Sequence, residues 1–309
     1  KSFGMQNAAA NLPMRTDSIF RIYSMTKPIV SVGTMILHEA AELYLSEPVA
    51  KYLPELTNMM VAKPDHNSET NTSGSKTVPI TQPIKIHDLL RHTSGFTYGF
   101  FGQSPAKQKL KQSGLANITS LDTPLDQFVT RLSTLPLAYQ PGTHWEYGRS
   151  TDVLGYLIEV IAGENLNSFL KEGIFEPLGM LDTGFWVPKK DWSRIAEPLE
   201  NTGEPQLIDV MKQPEMLAGG HGLVSTAGDY LRFCQMMLNG GVLEGVRILG
   251  PKTVEYMTAN HLDERISRAG PYYLPGPGYG FGLGFGVRET NGLSAWPGST
   301  GEFFWGGYA

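Results

Sequence analysis

A single cysteine, Cys234, stands among the 309 residues, so no internal disulfide is available. Its place in an apolar, helix-like stretch marks it as a core filler. No apolar run reaches membrane-spanning length, and no leader peptide is visible at the start. That leaves the compartment open, with the cytoplasm favoured. Basic clusters are missing too: 25 Lys and Arg against 30 Asp and Glu give a net charge of -5. A nucleic-acid partner is therefore not expected. His38-Glu39 with Glu42 lacks the second histidine of H-E-x-x-H, so neither a metal nor another cofactor is expected. G-x-S-x-G occurs nowhere, which argues against a Ser-His-Asp hydrolase of the α/β type.

What is present is ordinary globular composition, 41% apolar and 18% charged, enough for one large domain or two modest ones. After Pro28 the run IVSVGTMILHEAAEL is apolar nearly all round, as in a helix inside a core. Residues 64–77 are polar and read as a loop, and 98–120, rich in Gly, Ser and Lys, as a surface excursion. Helices are predicted over 84–95, 125–137, 150–163, 165–175 and 226–241. The 150–163 helix has Ser150 or Thr151 as its cap. Near the end, YGFGLGFGV (279–287) alternates with period two like a strand, and Asn291-Gly292 offers a hairpin turn. Helices thus dominate the middle and strands the C-terminal end. The chain opens on Lys1 and stops inside the strand-like FFWGGYA, as expected of a fragment of a longer gene product.

S-x-x-K occurs at Ser24/Lys27, Ser73/Lys76, Ser104/Lys107 and Ser168/Lys171, so the tetrapeptide alone carries little. Context separates the four. Ser73 lies in the polar loop, Ser104 precedes a proline in the surface excursion, and Lys171 sits on a short, half-polar helix. Only Ser24 stands where an extended segment, SIFRIY, gives way to a buried helix. Proline is tolerated in a first helical turn, so Pro28 sets the helix start near Ser24. The Ser24 amide is then a free donor at a positive helix end, with Lys27 one turn on and facing the same side. This arrangement suits a nucleophile, its base and half of an oxyanion hole. Desolvation and the helix dipole both disfavour an ammonium there, which predicts a neutral Lys27. The alternative is a lysine that reaches water or pairs with a carboxylate. Tyr147, in the turn before the 150–163 helix, is a candidate for a proton relay, or simply a half-buried ring. His92 and His221 read as hydrogen-bonded loop residues. Asp152 and Asp229 sit in first helical turns, where a carboxylate complements the dipole.

Taken together, IFRIYSMTKP, LLRHTSG, PGTHWEYGRSTDVLG, FEPLGMLDTGF, GGHGLVSTAGDY, YGFGLGFG and FFWGG resemble, in order, the serine β-lactamase-like superfamily. Most of all they resemble its family VIII carboxylesterases, relatives of class C β-lactamases. The resemblance implies an α/β (α+β) fold of the β-lactamase/transpeptidase type, an antiparallel sheet flanked by helices plus a mainly helical region. Residues 1–60 with 195–309 would form the sheet-containing domain, incomplete at both ends, and 61–194 the helical one, with the active site between them. It also implies Ser24 as the acylated nucleophile, Lys27 as general base and Tyr147 as proton relay. Trp305, Gly306 and Gly307 fall where lactamases carry K-T-G. The oxyanion hole would be the backbone amides of Ser24 and Tyr308.

Two departures bear on the substrate. Arg149 stands where lactamases place an asparagine that bonds the antibiotic's side-chain amide. Trp305 replaces a cation that would hold the β-lactam carboxylate, a contact of about 1.5–3 kcal/mol. Both weaken β-lactam recognition, leave acyl chemistry intact and favour a small, uncharged ester; the function expected is hydrolysis of short-chain carboxylic esters, with weak lactam hydrolysis beside it. A β-lactamase, D-aminopeptidase or acyltransferase of the same fold is the alternative, and a silent binding module a further one.

Overall fold

The structure, a computed structural model, describes residues 1–64, 75–198, 207–268 and 272–308. Its strands are β1 (Met5–Asn7), β2 (Leu12–Pro13), β3 (Ile19–Arg21), β4 (Met60–Pro64), β5 (Ser75–Pro79) and β6 (Val224–Thr226), followed by β7 (Val242–Leu243), β8 (Val246–Arg247), β9 (Tyr279–Phe281), β10 (Gly286–Arg288) and β11 (Phe303–Phe304). The α-helices are α1 (Thr26–Glu39), α2 (Ile86–Leu90), α3 (Pro105–Gln112), α4 (Leu125–Ser133), α5 (Ser150–Ala162), α6 (Leu166–Leu170), α7 (Glu176–Leu178), α8 (Ala227–Leu238) and α9 (Pro251–Met257). Every ladder among the described residues is antiparallel. Among the described residues the strands are short, and the sheet consists of short pieces, β3 on β6 and the order β11-β10-β9.

Helix α1 is the spine. Its residues from Thr26 to Met35 are all buried, as the all-round apolar run requires, and it packs on α5 and α6. One cluster of buried apolar side chains runs from Ile19 through Val153 and Phe233 to Val287, joining the helices to the strands. Burial of this kind contributes roughly 25 cal/mol for each Å² of apolar surface removed from water. No helix among the described residues is long and apolar enough to cross a membrane.

Several sequence expectations change. Residues 64–77 are not all loop: Met60–Pro64 pairs with Ser75–Pro79, because Val61 and Val78 face each other in register. The intervening residues, Ser73 included, lie outside those described. YGFGLGFGV is two strands rather than one, since it turns at 282–285 and Gly286 pairs back on Phe281. Asn291-Gly292 belongs to the longer connection between β10 and β11. The helix at 150–163 has no side-chain cap; Ser150 instead shares a hydrogen bond of 2.8 Å with Ser94.

The stretch 98–120 departs furthest from expectation. It contains α3, capped by Ser104, whose hydroxyl accepts the Lys107 N–H at 3.3 Å. Lys107 turns inward to Glu146 at 3.0 Å, and Thr97 donates to the same carboxylate at 2.5 Å. A buried ion pair stands where the composition suggested a surface excursion. It ties this segment to the turn just before Tyr147.

Candidate active site

Strand β3 delivers the chain into a 3-10 turn, Tyr23–Met25, that runs directly into α1. Tyr23 is buried and holds φ at 41°, a left-handed conformation that costs a non-glycine residue about 1–3 kcal/mol. The turn presents Ser24 to a cavity of about 780 Å³. Lys27, one turn on, is buried with its Nζ 3.3 Å from Ser24 Oγ. The sequence expectation that the two meet is fulfilled.

Lys27 is also paired. Its Nζ donates to the Gly220 carbonyl at 2.6 Å and to Tyr98 Oη at 3.2 Å, and it lies 4.6 Å from the centre of the Tyr147 ring. Burial by itself pulls the ammonium down. Tyr147, Tyr98 and Asp152 outweigh it, and the net direction is upward. Against the expectation of a neutral lysine at rest, this shift favours the protonated amine, which faces a ring of acceptors. Burial drives the Tyr98 phenol the other way from a usable base, up to about 12.

Tyr147 sits in an aromatic cage. Trp145 stacks on it at 5.9 Å, Tyr98 meets it edge-on at 5.3 Å, and Trp305 lies 5.2 Å away. Trp305 Nε1 donates to Tyr147 Oη at 3.2 Å, so the indole orients the phenol as well as walling the cavity. The turn reaches this position because Gly148 lies against residues 96–97. A Cβ there would meet the Phe96 carbonyl oxygen at 2.3 Å.

The segment after β11 closes the other side. A Cβ on Gly307 would stand 2.7 Å from the Ile22 carbonyl oxygen, so only glycine lets this segment approach the turn that carries Ser24. Tyr308 follows, its ring 5.5 Å from that of Tyr23. Gly306, Gly307 and Tyr308 all border the cavity.

Arg149 does not. It is 1% exposed, bonded to Asp152 at 3.3 Å and to the Leu115 and Asn117 carbonyls at 2.8 and 3.2 Å, behind the cavity wall. Its assignment to substrate binding is withdrawn: the side chain turns inward to a buried carboxylate. Asp152 is more than a dipole partner, since it also accepts the Gly220 N–H at 2.9 Å. His221 Nε2 donates to the Ile118 carbonyl at 2.9 Å, and burial pushes the ring down to about 4. His92 is buried against Tyr147 and Phe281 with Nδ1 unpartnered among the described residues, and burial followed by the nearby Lys27 holds it well below its usual range.

Sequence reasoning missed the far wall. Tyr98, Phe100, Phe101 and residues 116–119 line the cavity. The run FTYGFF just after TSG was a usable aromatic signal, masked by the glycine, serine and lysine around it. Among the described residues, no group of three His, Cys, Asp or Glu is arranged to hold a metal.

The Beta-lactamase family model matches residues 1–309. The chain belongs to that family. Uncharacterized protein MT1414 of Mycobacterium tuberculosis is 34% identical over 98% of this chain and 76% of its own length. Esterase EstB of Burkholderia gladioli is 33% identical over 71% of this chain, the match spanning about half of EstB at 51%. Among solved structures, EstCE1, described as a hydrolase with promiscuous acyltransferase activity, superposes with a TM-score of 0.79 at 27% identity. That match covers 98% of this chain and 78% of the EstCE1 chain. The fold is that of β-lactamases and transpeptidases, near the family VIII esterases, and the protein is a serine hydrolase of this fold with esterase homologues and acyltransferase relatives.

Proposed function

We propose that this member of the Beta-lactamase family hydrolyses uncharged carboxylic esters through an acyl-enzyme on Ser24. The observation that carries the reading is the 3.3 Å contact between Ser24 Oγ, which opens on the cavity, and Lys27, buried behind it. Ser24 attacks the ester carbonyl while its proton passes to the Lys27–Tyr147 pair. Because Lys27 rests as an ammonium, that pair must first lose a proton before it can accept one. The amides of Ser24 and Tyr308 stabilise the tetrahedral oxyanion, the pair returns the proton to the departing alcohol, and water then cleaves the acyl-enzyme. The cleft lies between a sheet-bearing part, 1–60 with 195–309, and a mainly helical part, 61–194.

The choice of ester over lactam rests on charge. Among the described residues no Lys, Arg, Asp or Glu lines the cavity, and Trp305, which does, falls by the family resemblance where lactamases carry the carboxylate-binding cation. Aromatic rings on both walls suit an apolar acyl or alcohol group, and short acyl chains are the first to test. The cavity's size favours a second reading, acyl transfer to an alcohol. At about 780 Å³ it lies toward the upper end of ligand pockets, with room for an acceptor beside a short acyl group.

The deciding experiment is intact-mass analysis after incubation with a fluorophosphonate, with peptide mapping. One adduct on Ser24, together with turnover of nitrophenyl acetate and butyrate but not nitrocefin, is the expected result. No adduct rejects the nucleophile and favours a silent binding module; faster nitrocefin turnover overturns the ester assignment.

A further inference from the structure

A buried ion pair behind the cavity wall, Asp152 with Arg149, has no part in the chemistry above, yet a single intervening peptide connects it to Lys27. Asp152 and Arg149 lie at the start of α5, 0% and 1% exposed. One oxygen of Asp152 accepts the Gly220 N–H at 2.9 Å, and the Gly220 carbonyl in turn accepts Lys27 Nζ at 2.6 Å. The other oxygen takes Arg149 Nη1 at 3.3 Å. Arg149 Nη2 then holds the carbonyls of Leu115 and Asn117, and His221 holds that of Ile118. Asn117 and Ile118 belong to the wall that faces the cavity at residues 116–119, and Leu115 directly precedes it.

We propose that Asp152 is a positioning residue that fixes two things at once, the aim of the Lys27 amine through the Gly220 peptide and the cavity wall through Arg149. The inference rests on the catalytic reading of Ser24 and Lys27. A peptide whose N–H is anchored cannot rotate, so its carbonyl presents a fixed acceptor to the lysine. A guanidinium clamped on a buried carboxylate presents fixed donors to the wall. A carboxylate that only neutralised Arg149 would have no need of the Gly220 amide. Other ionisable groups face Lys27 as well: Tyr98 in the stretch after α2, Tyr147 before α5, His92 after α2 and His221 before β6. Asp152 is the carboxylate among them.

Three variants separate the roles. Asp152→Asn keeps an acceptor for Gly220 while removing the charge, so the rising limb of the kcat/KM–pH profile shifts to lower pH and kcat falls less than about tenfold. Asp152→Ala lowers kcat by about 10–100-fold with a smaller change in KM, since the lysine loses its guide. Arg149→Met loosens the wall and raises KM more than it lowers kcat.

Because Asp152→Ala strands a buried guanidinium, the double variant Asp152→Ala/Arg149→Met is measured beside it. Recovery of Tm without recovery of kcat supports positioning. Recovery of both, or an unmoved pH midpoint in Asp152→Asn, overturns it and leaves Asp152 a structural counter-ion. Fluorophosphonate labelling of the wild type keeps the two readings apart. A wild type that is not labelled at Ser24 fails the catalytic reading, whereas normal wild-type labelling with unaltered variant kinetics fails this one alone.

Discussion

At the scale of single residues, three side chains and one indole nitrogen bear the proposed chemistry. Ser24→Ala is expected to lower ester turnover by about four orders of magnitude or more, checked by initial rates with nitrophenyl butyrate. Lys27→Arg should lose about 10²–10⁴-fold, since a guanidinium stays protonated and cannot trade a proton with Ser24. Trp305→Phe keeps the wall and removes the donor to Tyr147 Oη, so a loss of about 2–10-fold in kcat is expected, the worth of one ordinary hydrogen bond. The upward shift at Lys27 fixes the pH dependence of rate. Only the fraction of Lys27 that has shed its proton is competent, so kcat/KM should climb by about tenfold per pH unit from neutrality upward until that proton is lost. A flat profile from pH 7 to 9 contradicts the pair as base.

At the scale of elements, the sequence was legible where periodicity was strong. Helix α1 was readable from IVSVGTMILHEAAEL, α5 from STDVLGYLIEVIAG and α8 from TAGDYLRFCQMMLNGG, because each carries an apolar face or core run longer than two turns. The adjacency of Ser24 and Lys27 was legible for the same reason: helical spacing alone brings i and i+3 together. What local pattern could not reveal were contacts made across long sequence distances. Tyr98 reaches Lys27 from 71 positions away and Gly220 from 193. Arg149 was assigned outward by motif position, yet burial beside Asp152 turned it inward. Elements that rely on such contacts should be sensitive. Gly148→Ala, forced against the Phe96 carbonyl, is expected to cost about 1–3 kcal/mol and to lower kcat by displacing Tyr147, read from Tm and turnover together.

At the scale of the whole molecule, stability is coupled to protons through histidines that the fold holds neutral. Burial, with further contributions from neighbouring charges, lowers His221 and His87 from 6.5 to about 4. Unfolding lets each ring take up a proton that the folded chain refuses below about pH 6.5. Stability should therefore fall as pH drops from about 6.5 to about 4 and level off below. His221, the more deeply buried, contributes on the order of 3 kcal/mol to that loss. Denaturant titrations at pH 7, 5.5 and 4.5 check the slope. No decline across that window would mean that the rings protonate without unfolding.

The indole that touches Tyr147 has a practical corollary. Trp305 is one of five tryptophans, and it lies at the rim of the cavity into which Ser24 opens. In the proposed mechanism an acyl group arriving on that hydroxyl changes the polarity around the ring, so the protein would carry its own fluorophore for the covalent step. Stopped-flow emission should follow the build-up and decay of the intermediate in native enzyme, without a coloured leaving group, and Trp305→Phe should silence the signal.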